Sequence, residues 1–201
     1  MNFEVKPCVH SSGKPFKGLY EIIPEVFSDS RGFFLEAYNE RDFFSAGLTM
    51  KFVQENFSQS QKGVLRGMHF QKQNSQGKLI RLASGRVYDV VIDLRNDSET
   101  FGLFYGKLLD SQLHNMLYIP RGFAHGFLVL SDSADSVYKC TDYYCPADEA
   151  GIIWNDTLIG INWKDYLELD KIELSEKDKR NPFFDKNSLY FDINGKWIGK
   201  I

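Results

Sequence analysis

Residues 86–94, RVYDVVIDL, alternate without a break: Val87, Asp89, Val91 and Asp93 fall on one side of an extended chain, and Tyr88, Val90, Ile92 and Leu94 on the other. A helix cannot use a period of two, and apolar residues on both sides need cover above and below. Such a strand belongs inside a sheet packed on both faces. Shorter runs of β-branched and aromatic residues recur at 18–23, 32–38, 51–58, 78–83, 101–109, 126–131, 136–144 and 151–155, separated by compact turn signals. The pattern predicts an all-β chain, a jelly roll or related β-sandwich, with few helices.

Two short helices are predicted. One spans 39–47, with Asn39 as cap and Gly47 as stop. The other spans 174–182, where Ser175 followed by Asp178 resembles a capping pattern and Pro182 ends the run. In the tail, 190–199, Asn194-Gly195 lies between aromatic and β-branched arms, a strong hairpin signal. An isolated hairpin is marginal in water, so this one should pack on the body or on a second copy of the chain. No repeat, low-complexity tract or linker divides the 201 residues. A single domain over 1–201 is expected, with a core at about 17–160 and a helical and hairpin extension at about 174–201.

A formal charge of -3, with acids and bases mixed along the chain, argues against a nucleic-acid surface or a membrane-attracted patch. There is no basic stretch followed by an apolar run at the N-terminus, and no segment nears the roughly 20 apolar residues of a spanning helix. A cytoplasmic protein is expected. Cys8, Cys140 and Cys145 are odd in number, and the last two are placed in one probable strand on opposite faces, so reduced thiols are expected.

The segment GVLRGMHFQ (63–71) carries most of the chemical interest. Alone, His69 reads as a structural ring bonded to a backbone carbonyl on a half-buried strand. A metal-binding cupin would want a second histidine two residues on, but position 71 is glutamine. His125 could be a distal ligand, while His10 and His114 have no partner at useful spacing, so no metal is expected. Arg66 and His69 differ in strand parity; a bulge at Gly67 would bring both to one side. A cation beside a histidine is poor core design and reasonable site design.

FSDSRGFFLEAYN (27–39), FVQENFSQS (52–60), GVLRGMHFQ, QGKLIR (76–81), GRVYDVVIDLRNDSETFG (85–102), YIPRGFAHGF (118–127), VYKCTDYY (137–144), EAGIIWND (149–156) and LSEKD (174–178) occur here in the order found in dTDP-4-dehydrorhamnose 3,5-epimerases. Over about residues 17–182 the chain resembles that family. The resemblance implies a cupin-type jelly roll without metal or other cofactor. It also implies a homodimer and a nucleotide-linked 4-ketosugar substrate, inverted at carbons 3 and 5 in dTDP-L-rhamnose biosynthesis. Protons on carbons beside a ketone are weakly acidic, and losing one leaves an enolate. Such a reaction needs a base, a donor for the enolate oxygen, and an acid on the other side of the ring.

By resemblance, His69 is the base, Asp178 the carboxylate paired with it, Lys78 the ammonium at the ketone, and Tyr138 the acid. Without it, Asp178 would be a helix cap, Lys78 a solvated strand start, and Tyr138 part of the core. The nucleotide and sugar would be held by Arg31, Glu36, Gln54, Asn56, Arg66, His125, Glu149 and Lys177. Gln54 and Asn56 share a strand face, which suits two-point recognition of a base edge. Glu55, Met68 and Tyr118 stand where the family usually has aspartate, leucine and tryptophan, and the C-terminal hairpin extends past the family's usual end. A 3-epimerase of the same fold, a nucleotide-sugar binding module without turnover and a metal-dependent cupin enzyme remain as alternatives.

Overall fold

The computed structural model describes residues 2–200. Its strands are β1 (Phe3–Val9), β2 (Pro15–Pro24), β3 (Val26–Asp29), β4 (Gly32–Leu35), β5 (Gln54–Gln61), β6 (Leu65–Gln71), β7 (Lys78–Ser84), β8 (Arg86–Asp93), β9 (Phe104–Asp110), β10 (Met116–Ile119), β11 (Phe123–Val129), β12 (Ser133–Cys140) and β13 (Glu149–Gly151). One helix, α1 (Glu40–Ser45), joins them. A six-stranded sheet in the order β1, β2, β10, β7, β12, β5 faces a five-stranded sheet in the order β13, β6, β11, β8, β9. β3 and β4 form a separate two-stranded ribbon. The result is the expected all-β, cupin-type sandwich.

β8 joins two of the three apolar clusters of the sandwich. Val87 and Val91 enter the core between the sheets with Leu19, Ile80, Leu117 and Phe127. Tyr88, Val90, Ile92 and Leu94 point the other way, into a second core closed by Trp163, Phe184 and Phe191 from the C-terminal chain. The tail is therefore the outer cover of the five-stranded sheet. A third cluster packs Phe43 of α1 and Leu48 against Ile22, Leu79, Met116 and Tyr118, on the outer face of the six-stranded sheet. α1 starts as predicted, with the Asn39 side chain accepting from the backbone N–H groups of Arg41 and Asp42.

Several boundaries differ from expectation. β1 and β10 carry no strong pattern of their own and are defined by pairing with β2. The run at 151–155 contributes only its first residue to β13. The expected helix at 174–182 is a single 3-10 turn, Asp178–Arg180. The chain just before it is tied to the start of β6, where Leu65 N–H donates to the Glu173 carbonyl at 2.9 Å and Glu173 N–H to the Gly63 carbonyl at 2.8 Å. Ser175 still acts as expected, its Oγ accepting from Asp178 N–H at 3.1 Å.

The turn at Asn194-Gly195 forms, but its arms share one antiparallel bridge, Phe191 to Trp197, rather than a ladder. It packs on the body: Phe191 is fully buried, and the Trp197 ring stacks on Phe70 with centroids 6.2 Å apart. Cys140 closes β12 while Cys145 lies beyond it, so the two do not share a strand; all three thiols are free. No helix among the described residues is long and apolar enough to cross a membrane.

Candidate active site

One end of the sandwich stays open between the sheets as a cavity of about 810 Å³. The parity of three strands decides what lines the six-stranded wall. Tyr138 pairs with Asn56 of β5 on one side and Ile80 of β7 on the other, and Cys140 with Gln54 and Lys78. Gln54, Asn56, Lys78 and Tyr138 therefore point the same way, into the cavity.

The opposite wall comes from β6 and β11. Their register pairs Phe127 with Arg66 and His125 with His69, so three steps along β6 match two along β11. That extra residue is a bulge, and it brings Arg66 and His69 onto one side, as the parity problem required. Gly67 sits in it with φ +140°, and a Cβ there would lie 2.5 Å from Gly126 Cα. Only glycine fits both the conformation and the approach.

His69 is held from behind. Its Nε2 is hydrogen-bonded to Asp178 Oδ1 on the 3-10 turn. Burial alone would push the Asp178 carboxyl up; hydrogen bonds from His69, from Ser175 and from the Gly67 backbone outweigh it and hold the group below its usual range. An ionised Asp178 takes the Nε2 proton as a hydrogen bond, leaving Nδ1 as the ring's acceptor.

Lys78 makes no ion pair among the described residues. Burial pulls its ammonium down, opposed by Cys140, Asp89 and Glu149. Tyr138 is raised, chiefly by burial and then by Cys140, against the opposing Arg66 charge and a hydrogen bond with Asn56. A raised phenol keeps its proton and can serve as an acid. Base and phenol thus stand on facing sheets, with the unpaired cation beside the phenol.

Of the other expected residues, Gln54 donates from Nε2 to Asn56 Oδ1 at 3.0 Å and accepts from Tyr144 N–H at 3.0 Å. Arg66 Nε donates to Ser60 Oγ at 2.9 Å. His125 Nε2 lies 2.9 Å from Asp89 Oδ2. Glu149 is paired with Lys177 and accepts from Tyr144 Oη at 2.9 Å. Burial works against the Glu149 carboxylate, yet these two partners hold it below its usual range. All these side chains line the cavity.

Arg31 and Glu36 do not. Arg31 lies on the β3–β4 ribbon, paired with Asp29 and 87% exposed, and Glu36 accepts from Asn39 Nδ2 at 3.1 Å. Within one chain neither reaches the cavity. The sequence reading missed Asp89, Gln71 and Tyr144. Asp89 had a signal: an acid among valines on a strand buried on both faces needs a partner. Gln71 had none; it donates to the Asn74 and Tyr143 carbonyls and accepts from Cys145 N–H, tying two loops at the cavity mouth. Among the described residues no three His, Cys, Asp or Glu side chains are grouped as a metal centre needs.

A base and an acid on facing walls, with a cation beside the acid, equip a sandwich to move protons on and off a bound ring; the class is an acid–base carbohydrate epimerase on a cupin-type jelly roll. Comparison with known proteins makes this specific. The family model described as dTDP-4-dehydrorhamnose 3,5-epimerase matches residues 14–186. The dTDP-4-dehydrorhamnose 3,5-epimerase of Salmonella typhimurium is 49% identical over 168 residues, 83% of this chain and 90% of the relative. The crystal structure of the enzyme of that name from Elizabethkingia anophelis superposes with a TM-score of 0.84 at 43% identity, covering 93% of this chain and 99% of the other. A Legionella pneumophila epimerase in complex with dTDP-4-keto-L-rhamnose gives 0.81 at 41% identity, covering 90% and 92%. The chain belongs to the dTDP-4-dehydrorhamnose 3,5-epimerase family.

Proposed function

We infer that the protein converts dTDP-4-dehydro-6-deoxy-D-glucose to dTDP-4-dehydro-L-rhamnose, inverting carbons 3 and 5 in dTDP-L-rhamnose biosynthesis. The observation that carries this reading is the placement of His69 and Tyr138 on opposite sheets of one cavity, with Lys78 beside Tyr138. His69 Nδ1 takes the proton from the carbon beside the C4 ketone, and the C–H electrons move onto the ketone oxygen. The Lys78 ammonium stabilises that oxyanion. Asp178 stabilises the imidazolium that results. Tyr138 then delivers its proton to the same carbon from the other side, the enolate collapses to the ketone, and the centre is inverted. A single group serving both faces would restore the original configuration. Each inversion leaves an imidazolium and a phenolate, which exchange with solvent before the second carbon reacts.

Gln54, Asn56, Arg66, His125, Glu149 and Lys177 supply donors and acceptors for the nucleotide, its diphosphate and the sugar. The exposed ribbon favours a homodimer. Phe27, Phe33 and Phe34 are 46%, 60% and 68% exposed on it, a clustered apolar surface of the kind a partner subunit covers. In such a dimer Arg31 and Glu36 would act in the partner's cavity. A cytoplasmic location follows from a nucleotide-linked substrate.

Turnover in deuterated buffer tests the reading. Solvent deuterium at both carbons 3 and 5 is expected. Label at carbon 3 alone would move the protein to a 3-epimerase, and no exchange at either would leave only a binding module.

A further inference from the structure

β8 places one buried acid behind the cavity wall, against His125, that the steps above leave unused. Asp89 is 1% exposed and shares its face with Val87 and Val91. Its Oδ2 lies 2.9 Å from His125 Nε2, and its Oδ1 is buried with no hydrogen-bond partner among the described residues. Buried carboxylates are normally well bonded, and a bare oxygen is costly. An asparagine would satisfy a neutral imidazole at lower cost, so the position calls for negative charge. That charge meets one group directly. Register sets His125 between Val91 of β8 and His69 of β6, so its ring stands in the cavity wall next to the base. With Nε2 committed to Asp89, Nδ1 is the ring's free nitrogen. His69, Arg66, Lys78 and Lys177 share the cavity, and these basic groups resist any further positive charge there; Asp178 and Glu149 are already paired.

We propose that Asp89 is a positioning residue for the epimerase reaction: it fixes the His125 ring with Nδ1 toward the cavity and lets it take up a proton there when an anionic oxygen of the nucleotide sugar binds. This rests on the reading of His125 as a substrate-binding group. Bound substrate would then meet a charged donor. A neutral residue at 89 would leave the ring free to present either tautomer and unable to hold the extra charge.

A double-mutant cycle tests it, using kcat/KM measured by solvent deuterium uptake across pH. Asp89→Asn and His125→Asn are each expected to lower kcat/KM about 10- to 100-fold, and the double variant no further than His125→Asn alone. The basic limb of the profile should move to lower pH in Asp89→Asn, which a purely structural acid would not cause. Additive losses, or an Asp89→Asn enzyme within threefold of wild type, overturn the proposal. Should that variant not fold, 15N NMR of the wild-type histidines decides. His125 is expected to carry its proton on Nε2 when free and to gain a second on Nδ1 when dTDP binds; unchanged protonation refutes the idea. Wild-type protein without turnover would sink the epimerase reading instead, and the two failures are separable.

Discussion

Asp178→Asn removes one charge and almost no volume, and the site geometry lets its effect be worked out. The carboxylate bonds His69 Nε2 while accepting from Ser175 and the Gly67 backbone, so it is held ionised and aimed at the ring. A hydrogen bond to a charged group contributes ~1.5–3 kcal/mol. At about 1.4 kcal/mol per decade, losing the imidazolium's partner costs roughly 10- to 150-fold in kcat. A second effect adds to the first. The asparagine amide can donate to Nε2, which places the ring proton on Nδ1, the atom that must accept from carbon. General-base catalysis is worth about 10²–10⁴, so a fall of roughly 10³ in kcat with little change in KM is expected. Deuterium uptake at carbons 3 and 5 measures it directly. A variant that keeps kcat within about fivefold of wild type, below the ~10-fold floor of the lost hydrogen bond, would refute the His69–Asp178 mechanism. Stability carries a separate signature. Because the folded carboxyl lies below its ordinary value, its contribution is complete above the ordinary carboxylate range and is lost as pH falls through the lower folded value. Asp178→Asn should therefore flatten the acid side of a Tm-against-pH curve.

Tyr138→Phe should separate the two halves of the reaction: carbon-bound protons still wash out into deuterated buffer, but NMR finds the starting configuration retained. Gly67→Ala must hold a side chain at φ +140° and 2.5 Å from Gly126 Cα, so a loss of about 2–4 kcal/mol is expected, seen as a Tm fall of roughly 5–15 °C in calorimetry. An unchanged Tm would show that the bulge is not as described. Arg31→Ala should raise KM without altering the Tm, since the side chain is exposed and touches only Asp29; an unchanged KM would remove Arg31 from the substrate set.

How far such a site can be read from sequence depends on whether its chemistry follows strand parity. Gln54, Asn56 and Tyr138 obey it: an alternation read residue by residue puts them on one face, and the register of β5 and β12 keeps them there. His69 and Arg66 violate it, and a glycine between them was the visible sign that the strand must break step. Asp178 follows neither rule. Its segment reads as a helix by capping pattern, but only the 3-10 turn Asp178–Arg180 forms, on a chain tied to the start of β6 by the backbone bonds of Glu173 to Gly63 and Leu65. Local propensity lost to a long-range tether, and the same tether places the carboxylate under His69.

Arg31 and Glu36 mark the limit from the other side. Motif order groups them with the cavity residues, yet β3 and β4 pair only with each other and stand apart from both sheets. Within its own chain Phe33 packs on the His114 ring, 4.4 Å away between centroids, and both Phe33 and Phe34 stay mostly in water, where a ring left fully exposed forgoes burial worth about 1.5–3 kcal/mol. Sequence and a single fold are in tension at this ribbon, and a second subunit is what would resolve it: covering the rings would supply the missing burial and carry the arginine to a site it cannot otherwise reach. Dilution should therefore lower specific activity together with the dimer fraction, followed by sedimentation at the same concentrations. Full activity in a monomer would show that Arg31 and Glu36 are dispensable to the chemistry.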